Sequence, residues 1–339
     1  MSSTDRPRVS VVVPGKDAAS YLGDALTSLT RQFDDPAQLE VVVVDDGSTD
    51  ATPEVLENYR SRLPNLTVLT NPAPTGLASA RNQGVAAATG RFVAYLDADD
   101  WLAPGRLPVL ADAMEHLRVA WVRTDHTTVS GRRRNLVRAP EARRQQPLDP
   151  RGSILPVHDS TMVDYPYAWA GMFDRAMAED GMLTFPDGLH TAEDRPWIWH
   201  LFLNGPRYAV VDAPTLCYRR DVSTSLTSTY DRRQLDIFPA LEQAVELVRA
   251  DRDSQLYLPK VTRTSLALIS HHVRRSRGMT LTDRRDLRTR AREFFARLPA
   301  GVLADEVLEM SHERARSLHG LLPRVAGLQI NRSAEEYAS

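Results

Sequence analysis

Between Arg8 and about Asp100 the chain alternates short β-branched runs with amphipathic stretches, and this alternation restricts the fold more than any other feature. Val9 to Val13, Glu40 to Val44, Leu66 to Leu69 and Arg91 to Leu96 read as strands buried on both faces, because continuous apolar runs this short suit a covered sheet. Between the first two, Tyr21, Leu22, Ala25, Leu26 and Leu29 recur at helical spacing. A second helix is predicted from about Pro53 to Arg62, its start signalled by Ser48, Thr49 and Asp50, and a third from Leu77 to Ala88. Strand and helix in this order imply an α/β fold with a mostly parallel sheet, right-handed crossovers and flanking helices.

After Trp101 the regularity weakens. Ser130 to Pro156, rich in Arg, Pro and Gln, reads as a long exposed connection, either facing an acceptor or simply solvated. Aromatic residues return between Tyr165 and Trp199, and a strand-like Ala209 to Val211 leads into Leu216 to Arg220. From about Asp231 helical spacing returns over Leu235 to Val248, Leu256 to Val273, Asp283 to Leu298 and Ala304 to Leu322. A boundary near residue 230 is expected, giving segments 1–100, 101–230 and 231–339, the last a helical C-terminal region.

With 339 residues, 42% of them hydrophobic, the chain can bury a substantial core. The single Cys217 excludes an intrachain disulfide and a cysteine-built zinc site, which suits a reducing compartment. No apolar run approaches the roughly twenty residues of a membrane span, so a cytoplasmic protein without one is expected, with peripheral contact at the inner membrane face left open. A formal charge of −2 argues against general nucleic-acid coating. The histidines, among them His126, His158, His190, His200, His271 and His272, lack the spacing of a catalytic zinc site.

Chemistry concentrates where strands end. In Tyr95-Leu96-Asp97-Ala98-Asp99-Asp100 an apolar strand runs into three carboxylates, and side chains two apart on an extended segment point the same way. Ligands of open α/β sheets bind at such carboxyl ends, where two hard oxygen donors suit Mg²⁺ or Mn²⁺. A turn in which the aspartates cap backbone N–H groups is the competing reading. A second acidic turn, Asp45-Asp46-Gly47-Ser48-Thr49-Asp50, ends the neighbouring strand. Its carboxylates can meet a base or ribose, or Ser48 or Asp50 can cap the next helix.

Taken together, Val9-Ser10-Val11-Val12-Val13-Pro14, Val43-Val44-Asp45-Asp46-Gly47-Ser48-Thr49-Asp50, Gly76-Leu77-Ala78-Ser79-Ala80-Arg81-Asn82-Gln83-Gly84 and Tyr95 to Asp100 closely resemble glycosyltransferase family 2 in order and spacing. The resemblance implies a GT-A fold: a nucleotide-sugar-binding half over 1–100, an acceptor-binding half over 101–230, and an inverting transfer from a nucleotide diphosphate sugar, UDP-sugar being favoured. It implies that Pro14 and Asp46 line the base, Arg81 helps hold the nucleoside, Asp97 lies near the ribose, and Asp99 ligates Mn²⁺ or Mg²⁺ on the diphosphate.

Two later blocks extend it. Phe185 to Trp197, containing Glu193-Asp194, is similar to the family's segment carrying the base, which implies Asp194 as the group that deprotonates the acceptor hydroxyl. An N-terminal helix cap ahead of Pro196 explains the same residues structurally. Leu216 to Asp221, with Ser223 to Thr227, is similar to a closing loop and makes Arg219, Arg220 and Ser225 candidates for phosphate contact. Two departures stand out: Lys16-Asp17 replaces a common Tyr-Asn pair, and Asn71-Pro72-Ala73-Pro74-Thr75 replaces a glycine-rich turn.

The arginines of the helical tail, Arg274 to Arg292, either form a solvated face paired at i,i+4 with Asp283, Asp286 and Glu293, or contact an anionic acceptor polymer, a membrane surface or a second copy of the chain. A glycan or anionic polymer is the expected acceptor, and a homo-oligomer could form through these helices. A nucleotidyltransferase would need a glycine-rich basic loop after the first strand, and a dehydrogenase a G-x-G-x-x-G there; Val13-Pro14-Gly15-Lys16-Asp17 supplies neither. A catalytically degenerate scaffold is the remaining alternative, against which intact Asp97, Asp99 and Asp194 argue.

Overall fold

The structure, a computed structural model, describes residues 6–220 and 231–323. The backbone divides into two compact units, Met1–Thr229 and Tyr230–Ser339. In the first, β1 (Val9–Gly15), β2 (Leu39–Asp45), β3 (Leu66–Thr70) and β4 (Phe92–Tyr95) lie parallel within a seven-stranded sheet. A two-residue β5 (Trp101–Leu102) follows, then β6 (Trp121–Arg123), β7 (His126–Ser130), β8 (Arg133–Val137), β9 (Gly171–Asp174), β10 (Tyr208–Val210) and β11 (Leu216–Arg219). The large sheet runs β10-β6-β9-β4-β1-β2-β3, with β9 antiparallel to both neighbours. A smaller sheet runs β5-β11-β7-β8.

The apolar runs account for the centre of this sheet: every residue of β2 is buried, as are Val9 to Val13 of β1. Strand β3 departs from the expected burial. It is an edge strand, so one side lacks a neighbour and its residues stay partly exposed. Helices α1 (Ala19–Leu29), α2 (Thr52–Glu57) and α3 (Leu77–Ala87) form the crossovers, and α1 buries Leu22, Ala25, Leu26 and Leu29 as its spacing predicts. Helix α2 stops at Glu57 rather than Arg62, because the chain turns through residues 58–62 ahead of Pro64. Gly84 lets α3 sit against β1: a Cβ there would lie 2.3 Å from Cγ1 of Val12.

The stretch from Ser130 to Pro156 is not simply an exposed connection. It contains β8, paired antiparallel with β7, and then returns to the body of the unit, where Leu148 bridges to Tyr208 and Ser153 and Ile154 are buried. Glu141 gathers Arg143 and the Ser153 hydroxyl, which hold its carboxyl down at about 2 despite partial burial. Helices α4 (Arg106–Leu117), α5 (Ala176–Glu179) and α6 (Asp194–Asn204) complete the unit, and Trp197 and Trp199 of α6 are core residues.

The second unit consists of α7 (Ile237–Ala250), α8 (Ser254–Arg275), α9 (Leu281–Arg297), α10 (Ala300–Leu308) and α11 (His312–Ser317). The span from Ala304 to Leu322 is therefore two helices, broken where Ser311 takes an extended conformation. Leu287, Ala291, Phe294 and Phe295 bury the apolar stripe of α9. Its acids do not follow the expected pairing along the helix: Asp286 and Asp283 turn to Arg232, at 3.0 and 3.8 Å.

Candidate active site

Strands β4, β1 and β2 lie side by side; the chain steps from β1 to β2 and β3 on one side and then crosses back to β4 on the other, and the reversal opens a crevice at their carboxyl ends. Gly15 ends β1 in register with Asp45, and the Asp46 amide donates to the Gly15 carbonyl at 2.9 Å. The buried Pro14 lies one residue earlier. Gly47 has φ +71°, and the Ala73–Pro74 backbone passes 2.9 Å from where its Cβ would stand. Only glycine fits here without displacing that loop.

Asp46 organises the loop that glycine admits. Its Oδ1 accepts from Asn71 Nδ2, the Thr75 amide and the Thr75 hydroxyl, each at 2.8 Å, and its Oδ2 accepts from the Gly76 amide at 2.8 Å. Burial works against the charge, but these four donors win and hold the carboxyl below its ordinary range. The unusual Asn71 to Thr75 turn is thus fastened by Asp46 itself. Nearby, Asp50, one residue before the α2 N-cap Ala51, accepts from the first amides of α1 and α2, those of Ala19 and Thr52, and Asp17 accepts from the Thr49 amide at 2.7 Å while pairing with Lys16.

The end of β4 is different. Asp97 and Asp99 are partly exposed, Asp100 is fully buried, and burial pushes the carboxyl of Asp99 up to about 6 and that of Asp100 to about 9, with Asp97 adding repulsion to both. Asp100 Oδ1 accepts from the Arg219 amide at 2.8 Å, whereas its buried Oδ2 has no hydrogen-bond partner. Arg219 braces this loop: Nε donates to the Asp99 carbonyl at 2.9 Å and Nη2 to Asp24 at 2.7 Å, with the guanidinium over the Trp101 and Tyr21 rings.

Arg81 joins β4's loop to the start of α6. Its side chain is 5% exposed; Nη2 donates to Asp97 at 3.1 Å and Nη1 to Glu193 at 2.9 Å. The guanidinium also lies 5.2 Å from the Phe185 ring centroid. Phe185 stacks on Trp197 at 4.8 Å and meets Tyr95 edge-on at 5.7 Å, so one aromatic column seats the segment before the helix. Asn82 clamps the same segment, donating to the Phe185 carbonyl at 2.8 Å and accepting its amide at 2.9 Å. Ala192 enters the left-handed region at φ +62°, a strain of about 1–2 kcal/mol just before Glu193-Asp194. Burial raises both of these carboxyls, with Arg81 and Arg195 opposing it.

Asp97, Asp99, Asp100, Arg81, Glu193 and Arg219 therefore form one connected group, and Asp194 begins the helix beside it. Arg220 is exposed at the rim with its guanidinium over the Tyr218 ring, and Ser225 lies outside the described residues. Glu193 as the partner of Arg81, Asp100 as the anchor of Arg219 and Asn82 as a clamp carry no separate signal in the sequence. Where carboxylates outnumber guanidinium groups and a buried acid oxygen lacks a partner, the hard donors Asp97 and Asp99 fit a divalent cation. Among the described residues no group of three or more His, Cys, Asp or Glu side chains could hold one alone.

Residues 10–177 match the family described as glycosyl transferase family 2. An uncharacterized glycosyltransferase of Bacillus subtilis, EpsJ, is 27% identical over 218 residues, which are 63% of this chain and 62% of that protein. The poly(ribitol-phosphate) β-N-acetylglucosaminyltransferase TarS of Staphylococcus aureus is 28% identical over 249 residues, 72% of this chain and 41% of TarS. The chain thus spans less than two thirds of either relative. The crystal structure of TarS 1–349 in complex with UDP-GlcNAc matches with a TM-score of 0.69 at 22% identity, covering 87% of this chain and 82% of that one. The mannosyltransferase PcManGT of Pyrobaculum calidifontis, in complex with GDP-Man and Mn²⁺, matches with a TM-score of 0.51 at 21% identity, over 90% and 87% of the two chains. The fold is that of the GT-A transferases.

Proposed function

From a chain that belongs to glycosyl transferase family 2, we propose an inverting transfer of a sugar from a UDP-sugar, with UDP-GlcNAc the first donor to try, to an acceptor hydroxyl. The observation that carries this reading is the Arg81 bridge: one buried guanidinium ties Asp97, on the donor side, to Glu193, the residue before the candidate base. The named ligand and activity of TarS support the donor and suggest a cell-surface polymer, glycan or anionic, as acceptor.

In this proposal Asp46 fixes the 71–76 loop and, with Pro14, bounds the base. Arg81 sets the spacing between the two acid loops. Asp99, with Asp97 nearby, would hold Mn²⁺ or Mg²⁺, which when bound neutralises charge on the diphosphate. Arg220 faces the leaving diphosphate, and Arg219 acts through Asp99 and Asp100 by bracing their loop. Asp194 accepts the proton of the acceptor hydroxyl as it attacks the anomeric carbon from the side opposite the departing UDP. Its raised pKa makes it a stronger base than an exposed aspartate once ionised.

Among the described residues no helix is long and apolar enough to cross a membrane. Within the proposal, the chain works in the cytoplasm or against the inner membrane face, with segments 1–100 and 101–230 as donor and acceptor halves and the exposed Leu256, Leu281 and Leu308 available for self-association of the helical region. The test is turnover of UDP-GlcNAc and other UDP-sugars by Asp194→Asn. Transfer or donor hydrolysis should fall by about 10³-fold while UDP affinity is retained. Near-normal turnover would remove Asp194 as the base.

A further inference from the structure

A cluster of rings lies on one face of the small sheet and meets the proposed donor site only where Arg220 lies over Tyr218. His126, Tyr165, Tyr167, Trp169 and Tyr218 form one connected cluster, with Tyr167 stacked on Trp169 at 4.7 Å and Tyr218 tilted against Trp169 at 5.2 Å. The lower layer is sealed. His126, Tyr165 and Trp169 are buried, and the Tyr165 hydroxyl donates to the Thr124 carbonyl, so His126 donates to it through Nδ1–H. Burial and the neighbouring Arg123 and Arg106 drive His126 down to about 4, so it stays neutral. Tyr167 and Tyr218 form the partly exposed upper layer, and the Arg220 guanidinium lies over the Tyr218 ring, 5.4 Å from its centroid. The Tyr167 hydroxyl has no hydrogen-bond partner among the described residues.

This layer adjoins the acid loop. Burial raises the Tyr218 phenol to about 12, and Asp97 and Asp100 are close enough to push it the same way. Strand alternation places His126, Thr128 and Ser130 of β7 on the face of Tyr218, and the register pairs Ser130 with Arg133 of the edge strand β8. Arg133 is exposed and has no ion pair among the described residues. The face therefore runs from the acid loop, over two tyrosines, to an unpaired guanidinium at an open sheet edge.

Resting on the transferase reading above, we propose that Tyr167 and Tyr218, backed by Trp169, are the acceptor subsite, and that it takes a saccharide unit carrying an anionic group held by Arg133. The C–H face of a sugar stacks on the Tyr167 ring beside Tyr218 and Arg220, and the free Tyr167 hydroxyl meets its hydroxyls. The donor base lies at the other end of the crevice, by Asp46, which leaves this face to the acceptor.

The experiment is calorimetry on the full chain saturated with UDP and Mn²⁺, using glucose, glucose 6-phosphate and glucuronate as probes. At least one anionic probe should bind about tenfold more tightly than glucose. Tyr167→Leu should weaken all three about fivefold. Arg133→Ala, at an exposed position that leaves folding intact, should weaken only the anionic probes. UDP affinity should be unchanged in both variants. Equal binding of all three probes, or variants indistinguishable from the parent, overturns the subsite. Failure of UDP itself to bind counts against the transferase reading instead, and the sugar titrations without UDP still judge the subsite.

Discussion

The acidic loops on the two sides of the crevice carry opposite electrostatics; the strands β2 and β4 that lead into them are separated by β1 rather than adjacent. After β1 and β2, Asp17, Asp46 and Asp50 accept hydrogen bonds from backbone amides and side chains, and each is held below its ordinary pKa. After β4 and before α6, Asp99, Asp100, Glu193 and Asp194 are pushed upward, burial being the first cause in each. The first cluster devotes its charge to holding the chain in shape. The second gathers more carboxyls than guanidinium groups and holds them at raised pKa, which suits a divalent cation and a proton in transit.

Substitutions should break this contrast in a graded way. Arg81→Leu has the largest expected effect on stability, about 3–5 kcal/mol in denaturant unfolding, because it strands the buried Glu193 carboxylate. Asp46→Ala leaves three amide or hydroxyl donors and the Asn71 side chain without their acceptor, and should cost about 2–3 kcal/mol. Asp50→Ala removes an exposed cap and should cost about 0.5–1 kcal/mol. The Arg81 and Asp46 variants can be compared by thermal melts before any activity is measured.

Asp100→Asn should act in the opposite direction. Its folded carboxyl titrates near 9, so between its ordinary pKa and that value the folded chain binds more protons than the unfolded one. Stability is then lost as pH rises through the window, and Asp99 adds a smaller loss that ends near 6. The metal-free chain should melt lower at pH 8 than at pH 5.5, and Asp100→Asn should shrink that difference. A melting temperature independent of pH over this range would contradict the raised values.

The legibility of the sequence divides along a related line. Strands β1, β2 and β4 are readable because each is an apolar run buried on both faces; alternation does not set the direction of Asp97 and Asp99, since β4 ends at Tyr95 and Asp97 to Asp100 form a turn closed by the Asp100 amide on the Asp97 carbonyl at 3.0 Å. The small sheet is unreadable for the opposite reason: β5 has two residues, β7 is polar at all but Val129, and β8 is a solvated edge of Arg, Asn, Leu and Val. Glu193 joins Arg81 across 112 positions, a partnership no local pattern announces. The acidic turn after β2 looks as much like a ligand site as the one after β4. What separates them is the hydrogen-bond donors that the 71–76 loop brings to Asp46.

The most direct test of the claim that the acid cluster after β4 is the donor site is calorimetric titration of UDP, with and without Mn²⁺, into the parent chain and Asp99→Asn. The account predicts UDP binding that strengthens with Mn²⁺ in the parent, and loss of the metal dependence in Asp99→Asn with the melting temperature at least maintained. Metal-independent binding in the parent, or an unchanged Mn²⁺ response in Asp99→Asn, would contradict it.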